Sequence, residues 1–108
     1  MSLEPYARAA AITMVTAARQ QGIPLIVISG RRTAAQNAAV GGAPGSRHLD
    51  GTAFDVAIHG LSREQVAYWW WEALGTWAEQ NLGLSWGGRF VHNGAPDVNH
   101  FDLRGLYT

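Results

Sequence analysis

The chain contains neither cysteine nor lysine. Without cysteine it cannot carry a disulfide framework, a thiolate zinc site or a cysteine nucleophile. Any metal site must therefore be built from nitrogen and oxygen donors, for which the chain offers four histidines and eight acidic residues. The missing residue type already narrows the metal chemistry to histidine and carboxylate ligands.

Long apolar runs and an excess of charge of one sign are also absent. Apolar residues make up 47% of the chain and charged residues 15%, which is typical of a globular protein. The formal net charge is zero, so the broad attraction behind non-specific nucleic-acid binding is missing. Residues 1–6 show no basic leader followed by an apolar run. We therefore expect no membrane insertion, no nucleic-acid partner and no cleaved secretory signal.

The length of 108 residues suits one small domain over residues 1–108, and neither a repeat nor a linker divides it. Alanines and other apolar residues recur at three- and four-residue spacing over 3–21, which predicts an amphipathic helix. A capping-box pair predicts a second helix over 62–81, with Trp70 and Trp77 on its buried face. We expect these to be the two main helices.

The remaining pattern predicts a small sheet and one long loop. The loop, residues 31–50, is polar and rich in glycine and alanine, with a short helix at 33–39. Because helices and strands do not alternate regularly, we expect an α+β fold whose small, mostly antiparallel sheet packs with the two helices. The apolar and β-branched runs that predict strands are 25–28, 53–58, 84–86 and 99–103.

The first candidate metal ligands are His48 and Asp55, seven positions apart. Fully extended, that span would separate them by roughly 23 Å, whereas two ligands of one zinc ion lie within about 4 Å of each other. The chain must therefore double back between them. Asp50 and Gly51 form a strong turn dipeptide, which predicts this reversal.

His100 supplies a third candidate ligand at the start of the last predicted strand, three residues after Asp97. A set of two histidines and one carboxylate leaves the fourth position of a tetrahedral zinc ion open, as in catalytic sites. Asp97 is then a candidate general base. Spacing alone leaves Asp50 and Asp102 as rival carboxylates, with a turn-forming role and a surface role as their alternatives.

These residues resemble motifs of the zinc D-Ala-D-Ala carboxypeptidase and L-alanoyl-D-glutamate endopeptidase family, whose members act on peptidoglycan. The resemblance covers residues 25–103 in the family's order, and it implies the same α+β fold. The matching segments are S-G-R-R-T at 29–33 with its continuation at 37–42, S-R-H-L-D-G-T-A-F-D at 46–55, W-G-G at 86–88 and D-V-N-H-F at 97–101.

Carried over residue by residue, the resemblance implies that His48, Asp55 and His100 bind zinc and that Asp97 is the catalytic base. It also implies that Arg32 holds a substrate carboxylate or stabilises the oxyanion. A planar guanidinium suits that role because it can grip a carboxylate with two parallel hydrogen bonds.

The resemblance further suggests substrate contacts by Ser46 and Gln36 from the long loop, and by Trp86 beside the metal site. One departure is Arg31, which stands where the family has an aromatic residue. His92 lies in the loop before the last motif and is an additional candidate ligand or substrate contact, although a plain loop role is the simpler interpretation.

By resemblance, the chain is expected to be a zinc metallopeptidase that hydrolyses a bond in the peptidoglycan stem peptide. The first expectation is an L-alanyl–D-glutamate endopeptidase acting as a phage or prophage lysin, and the alternative is a D-Ala-D-Ala carboxypeptidase or dipeptidase. A catalytically silent zinc-containing domain that binds peptidoglycan or serves a phage tail is a further alternative, against which Asp97 argues. We expect a monomer made in the host bacterial cytoplasm and delivered to the cell wall or periplasm by a holin or virion.

Overall fold

The structure is a computed structural model that describes residues 2–43, 45–92 and 94–104, apart from the side chain of His92. Its helices are α1 (Pro5–Gln20), α2 (Ala34–Ala39) and α3 (Tyr68–Leu82). Its strands are β1 (Leu25–Ser29), β2 (Ala53–Ile58), β3 (Ser85–Trp86), β4 (Val91–His92), β5 (Ala95–Pro96) and β6 (His100–Asp102). Single 3-10 turns occupy Arg47–Asp50, Arg63–Gln65 and Gly87–Arg89.

A four-stranded antiparallel sheet in the order β1-β2-β6-β3 forms the centre of the fold, and β4 and β5 form a separate hairpin. This arrangement confirms the predicted α+β class with a small antiparallel sheet. The predicted strand over 53–58 agrees with β2 in both bounds, and the other predicted strands agree within one residue at each end. Within the described residues, no helix has the length and apolar character needed to cross a bilayer.

The first helix, α1, presents its small apolar residues to the sheet. Ala7, Ala11 and Met14 are at most 3% exposed. The helix begins two residues later than the sequence predicted because the Glu4 carboxylate accepts a hydrogen bond from the backbone of Tyr6 at 2.7 Å and caps the start. Proline at the first helical position is compatible with this start, since its missing N–H has no helical partner there.

The second predicted helix, 62–81, is divided in the structure. Ser62 caps only the turn Arg63–Gln65, the backbone is extended at Val66, and α3 begins after Ala67. The break changes which tryptophan is buried. Trp71 is 1% exposed and donates a hydrogen bond from its indole to the Arg63 carbonyl at 3.2 Å.

Trp70 and Trp77, which were predicted to lie on the buried face, are only partly buried and pack against the margin of the core. Trp69 is 70% exposed. The core between α1, α3 and the sheet is closed by large side chains that are nearly or fully buried, namely Met14, Leu25, Phe54, Trp71, Trp86, Phe101 and Leu103.

Candidate metal centre and cleft

Two neighbouring strands bring Asp55 and His100 face to face. β2 and β6 pair antiparallel, and Asp55 lies directly opposite His100 in the ladder. Side chains of directly opposite residues project from the same face of a sheet, with Cβ atoms about 4.5–5.5 Å apart. The register therefore delivers both side chains to one place although they lie 45 positions apart in the chain.

His48 reaches the same place through a reversal of the chain. It lies in the 3-10 turn Arg47–Asp50, which ends at Gly51 in a left-handed conformation with φ of 76°. Glycine adopts this conformation without the steric penalty that a side chain would add. The reversal predicted at Asp50 and Gly51 is therefore present, and it returns the chain into β2 with Asp55 beside His48.

The three side chains form one cluster. Nε2 of His48 and Nδ1 of His100 lie 3.2 and 3.1 Å from the same atom, Oδ1 of Asp55. All three ligand atoms lie within 4.8 Å of one another. Two donors of a tetrahedral zinc ion, each about 2 Å from the metal, stand about 3.3 Å apart. The donor set and its spacing therefore fit one zinc ion with a fourth position left open.

Each imidazole is held by a hydrogen bond on its other nitrogen. Nδ1 of His48 lies 2.7 Å from the Gly30 carbonyl oxygen, which can only accept, so Nδ1 donates and Nε2 faces the cluster. Nε2 of His100 donates to Oδ2 of Asp102 at 3.0 Å, and Nδ1 faces the cluster. Outer partners of this kind fix the orientation of metal-ligating histidines. Since His48 is 2% exposed and Asp102 is fully buried, water does not compete for these bonds.

The charges in the cluster stabilise one another. Burial raises the pKa of Asp55, but hydrogen bonds from His100 and His48 outweigh burial and hold the pKa below its usual range. Burial lowers the pKa of His100, whereas hydrogen bonds with Asp102 and Asp55 raise it to about 9. His100 is therefore the positively charged imidazolium, with both nitrogens protonated, in the metal-free protein at neutral pH. A ligating imidazole is neutral, so metal binding displaces one of these protons.

Asp97 lies beside the cluster without joining it. Its Oδ2 is 3.8 Å from Nδ1 of His100. Its Oδ1 accepts a hydrogen bond from Nη1 of Arg63 at 3.3 Å, and the same nitrogen donates to Oδ1 of Asn99 at 3.2 Å. One carboxylate oxygen of Asp97 is thus held by an arginine while the other faces the metal centre, which is where a general base is needed.

Arg32 lines the cleft, and in the structure its guanidinium is bound by neighbouring side chains of the protein. Its three guanidinium nitrogens all have partners: Nη2 donates to Oδ2 of Asp55 at 3.0 Å, Nε to Ser29 at 3.2 Å and Nη1 to Asn37 at 3.4 Å. The side chain is 18% exposed. Arg32 therefore holds the second oxygen of Asp55 and leaves Oδ1 directed at the two histidines.

The three other predicted substrate contacts also have defined places. Ser46 lines the cleft, where its hydroxyl accepts a hydrogen bond from the His48 backbone at 3.2 Å. Gln36 lies outside the cleft lining because its amide oxygen accepts the Thr33 N–H at 2.9 Å in the capping box of α2. Trp86 is fully buried and donates to a backbone carbonyl at 2.7 Å. The prediction of substrate contact is therefore wrong for Gln36, which caps a helix, and for Trp86, which packs in the core beneath the metal centre.

Sequence reasoning assigned Asp102 a surface role as its alternative to metal binding, and the structure shows neither. Asp102 is completely buried beneath His100 and also accepts a hydrogen bond from the Arg104 backbone at 2.8 Å. Burial raises the pKa of Asp102, but its hydrogen bonds with His100 and the Arg104 backbone lower it overall. The two-residue spacing of His100 and Asp102 on one strand could have indicated this contact, because residues two apart on a strand project from the same face.

The metal centre lies on the floor of a cleft of about 650 Å³. One wall runs from the end of α2 to the turn Arg47–Asp50, and the other is the hairpin of β4 and β5. Exposed apolar side chains face the cleft from both walls, including Val40 at 62% and Val91 at 75% exposed. His92 belongs to β4, but its side chain lies outside the described part of the chain.

Comparison with known proteins gives one family match. The sequence model of the peptidase M15 family matches residues 3–93. No curated protein matches the chain.

Solved structures share the fold. The L-Ala D-Glu endopeptidase ChiX of Serratia marcescens superposes with a TM-score of 0.64 and 23% identity, over 97% of this chain and 83% of that one. The LdcB LD-carboxypeptidase gives 0.63 and 19%, over 93% of this chain and 58% of that one. A mutant of the vancomycin-resistance D,D-pentapeptidase VanY, in complex with Zn(II), gives 0.58 and 16%, over 93% and 71%. This chain therefore spans little more than half the length of the LdcB structure.

Proposed function

Because the chain belongs to the peptidase M15 family, we propose that it hydrolyses a bond in the stem peptide of bacterial peptidoglycan. The membership confirms the family predicted from the motifs and supports a zinc-dependent peptidase. The observation that carries the proposal is the cluster of His48, Asp55 and His100 with Asp97 beside it, on the floor of an open cleft.

The protein's own residues divide the chemistry among them. His48, Asp55 and His100 would hold zinc, with Oδ1 of Asp55 lying between the two imidazole nitrogens. When bound, zinc supplies Lewis-acid chemistry that acidifies a water molecule and polarises a carbonyl group. Arg32 and Asp102 keep the ligands in position from behind, since each holds a ligand by an atom that faces away from the cluster.

Asp97 moves the proton. Its Oδ2 faces the metal centre, where it takes a proton from the attacking water and later delivers it to the leaving amine. Arg63 holds the other oxygen at 3.3 Å, so the base starts each cycle from a defined position. A domain that only bound peptidoglycan would have no use for this placement, which favours an enzyme over a silent binding or tail domain.

Asp97→Ala tests the proposal directly. The substitution removes the proton carrier and no metal ligand, so we expect zinc content to stay at one per chain while kcat falls by about 10²–10⁴-fold. The measurement is release of amino groups from purified peptidoglycan by zinc-loaded protein, with metal analysis of the same samples. Loss of zinc in the variant would place Asp97 among the ligands, and failure of the unaltered protein to release amino groups would refute the enzyme.

The bond between L-alanine and D-glutamate is the first choice for the cleaved bond, and a terminal D-Ala-D-Ala bond is the alternative. Mass spectrometry of the digested stem peptides separates them. New N-terminal D-glutamate would identify an endopeptidase, and release of free D-alanine would identify a carboxypeptidase.

The proposal extends to a lysin of a phage or prophage that reaches the wall through another protein's membrane lesion. Expression in the cytoplasm of a bacterium should then be harmless until the inner membrane is permeabilised, and turbidity should fall only afterwards. Lysis without permeabilisation would reject this delivery route and leave the peptidase assignment standing.

A further inference from the structure

Four arginines line the cleft, and three of them are neutralised by a different aspartate each. The nitrogen–oxygen distances are between 3.0 and 3.3 Å. The pairs are Arg32 with Asp55, Arg63 with Asp97 and Arg104 with Asp102.

Arg47 is the fourth. It is half-buried, and within the described residues its guanidinium has no ion pair, no side-chain hydrogen bond and no aromatic neighbour. The aspartates of the cleft already have other arginines, so none of them neutralises Arg47. A half-buried cation that lacks a partner in the protein can form charge-assisted hydrogen bonds with an anion that enters the cleft, and these bonds offset its partial loss of hydration.

The backbone beneath Arg47 is fixed. Its carbonyl oxygen accepts a hydrogen bond from the backbone N–H of Thr52 at 3.0 Å. The next residue, His48, is almost completely buried and belongs to the metal centre. Arg47 therefore extends into the cleft from a rigid point, one residue from a metal ligand, and a group that it binds lies close to the reacting bond.

We propose that Arg47 binds a free carboxylate on a substrate residue flanking the scissile bond. This inference rests on the proposed peptidase function and deepens it by naming the substrate class, peptides that carry such a carboxylate unamidated. The planar guanidinium offers two parallel donors to a carboxylate, whereas a neutral carboxamide accepts less strongly and brings its own N–H groups against them. Two sources fit this chemistry: the α-carboxylate of γ-linked D-glutamate and the carboxylate of a C-terminal D-alanine.

Two matched peptide pairs test the proposal and separate the sources. The first pair is L-Ala-γ-D-Glu-L-Lys with the D-glutamate α-carboxylate either free or amidated. The second is a peptide ending in D-Ala-D-Ala with its C-terminus either free or amidated. We expect the zinc-loaded protein to prefer the free acid in one pair by about 10–100-fold in kcat/KM, as expected for a charged hydrogen bond.

In Arg47→Gln this preference should disappear, because the free-acid peptide loses its hydrogen-bonded cation and its kcat/KM falls, while kcat/KM for the amidated peptide changes little. The change should lie mainly in KM, with zinc content unaltered. Arg19→Gln, which removes the same charge from the exposed face of α1, serves as the matched control and should keep the preference. An equal loss for acid and amide in Arg47→Gln would assign Arg47 a structural role and overturn the proposal.

Equilibrium binding of both pairs to zinc-loaded Asp97→Asn provides a readout that needs no turnover. We expect this variant to bind the free acid more tightly and to lose that selectivity when Arg47→Gln is added. Equal binding of acid and amide in both pairs would overturn the carboxylate site even if hydrolysis proceeds. Selective binding with no hydrolysis of any peptide by the unaltered protein would instead refute the peptidase function while the site itself stands.

Discussion

The floor of the cleft and its walls are built on different principles. On the floor, ligands come from paired strands and a capped turn, and each histidine ligand has a buried or backbone partner on its far side. The walls carry exposed side chains that are not packed into the core, such as Val40, which is 62% exposed, and Val91, which is 75% exposed. Under the proposed function, the floor would determine whether hydrolysis occurs and the walls would determine which peptide is cleaved.

The largest effect that would test this division is removal of a floor ligand. His100→Ala should reduce bound zinc from one per chain to nearly none and abolish hydrolysis, because only two ligands remain. The loss should exceed the ~10–100-fold typical of a supporting residue. Metal analysis after dialysis, with thermal unfolding in parallel, measures it.

His59→Ala is the matched control for this prediction, since His59 is exposed after the end of β2. It should keep both zinc and activity. Stoichiometric zinc in His100→Ala would show that the ligand set has been assigned incorrectly and would remove the basis for calling this surface the floor.

A smaller effect is expected from the buried support beneath that ligand. Asp102→Asn weakens the acceptor for Nε2 of His100, so the imidazole is held less firmly and is less basic. We expect zinc affinity to fall by about 10–100-fold without loss of the fold. Competition with a chelator of known affinity measures this change, and Glu72→Gln on the exposed face of α3 is the control of equal charge change. Unchanged affinity would mean that the ladder alone orients His100.

Much of the floor was predictable because its signals are local. The turn at Asp50 and Gly51 and the alternating run of β2 each lie within a few contiguous residues. Spacing together with the turn predicted that His48 meets Asp55 and made His100 a third candidate, and the family motifs then favoured this set over Asp50 and Asp102. The pairing of β2 with β6 was not predicted, because strand order depends on contacts between distant segments; once the two strands pair, the buried face constrains their register.

The remaining features depend on contacts that no local pattern encodes. Arg63 meets Asp97 across 34 positions, and nothing in the sequence near either residue indicates the contact. Likewise, the burial of Trp71 depends on where α3 begins, because starting the helix after Ala67 sets which face meets the core. A capping box predicts a helical start but does not determine how many turns follow it, and one turn satisfied it at Ser62.

Alanine substitutions at two glycines, Gly87 on the floor and Gly45 in the wall, compare how tightly the two regions are packed. A Cβ on Gly87 would overlap the Asp97 carbonyl oxygen and stand 2.8 Å from Cβ of His100, whereas a Cβ on Gly45 in the wall would meet none of the described residues within 4 Å. Gly87→Ala should therefore destabilise the protein by about 1–3 kcal/mol, which is about 4–8 °C in Tm per kcal/mol, and should lower kcat. Gly45→Ala should stay within about 0.5 kcal/mol of the parent. Equal Tm values for the two variants would show that the floor is no tighter than the wall.

The smallest effect is expected on the wall itself, where binding should change without any change in chemistry. Val91→Ser removes an exposed apolar group that faces the cleft, so free-protein stability should change by less than about 0.5 kcal/mol and zinc content should not change. If substrate covers part of this side chain equally in the ground and transition states, KM should rise about two- to fivefold with kcat unaltered. Ile12→Ser, an exposed apolar residue of α1 outside the cleft lining, should leave both constants alone. A fall in kcat for Val91→Ser would mean that the hairpin also positions Asp97, and the wall would then share in the chemistry of the floor.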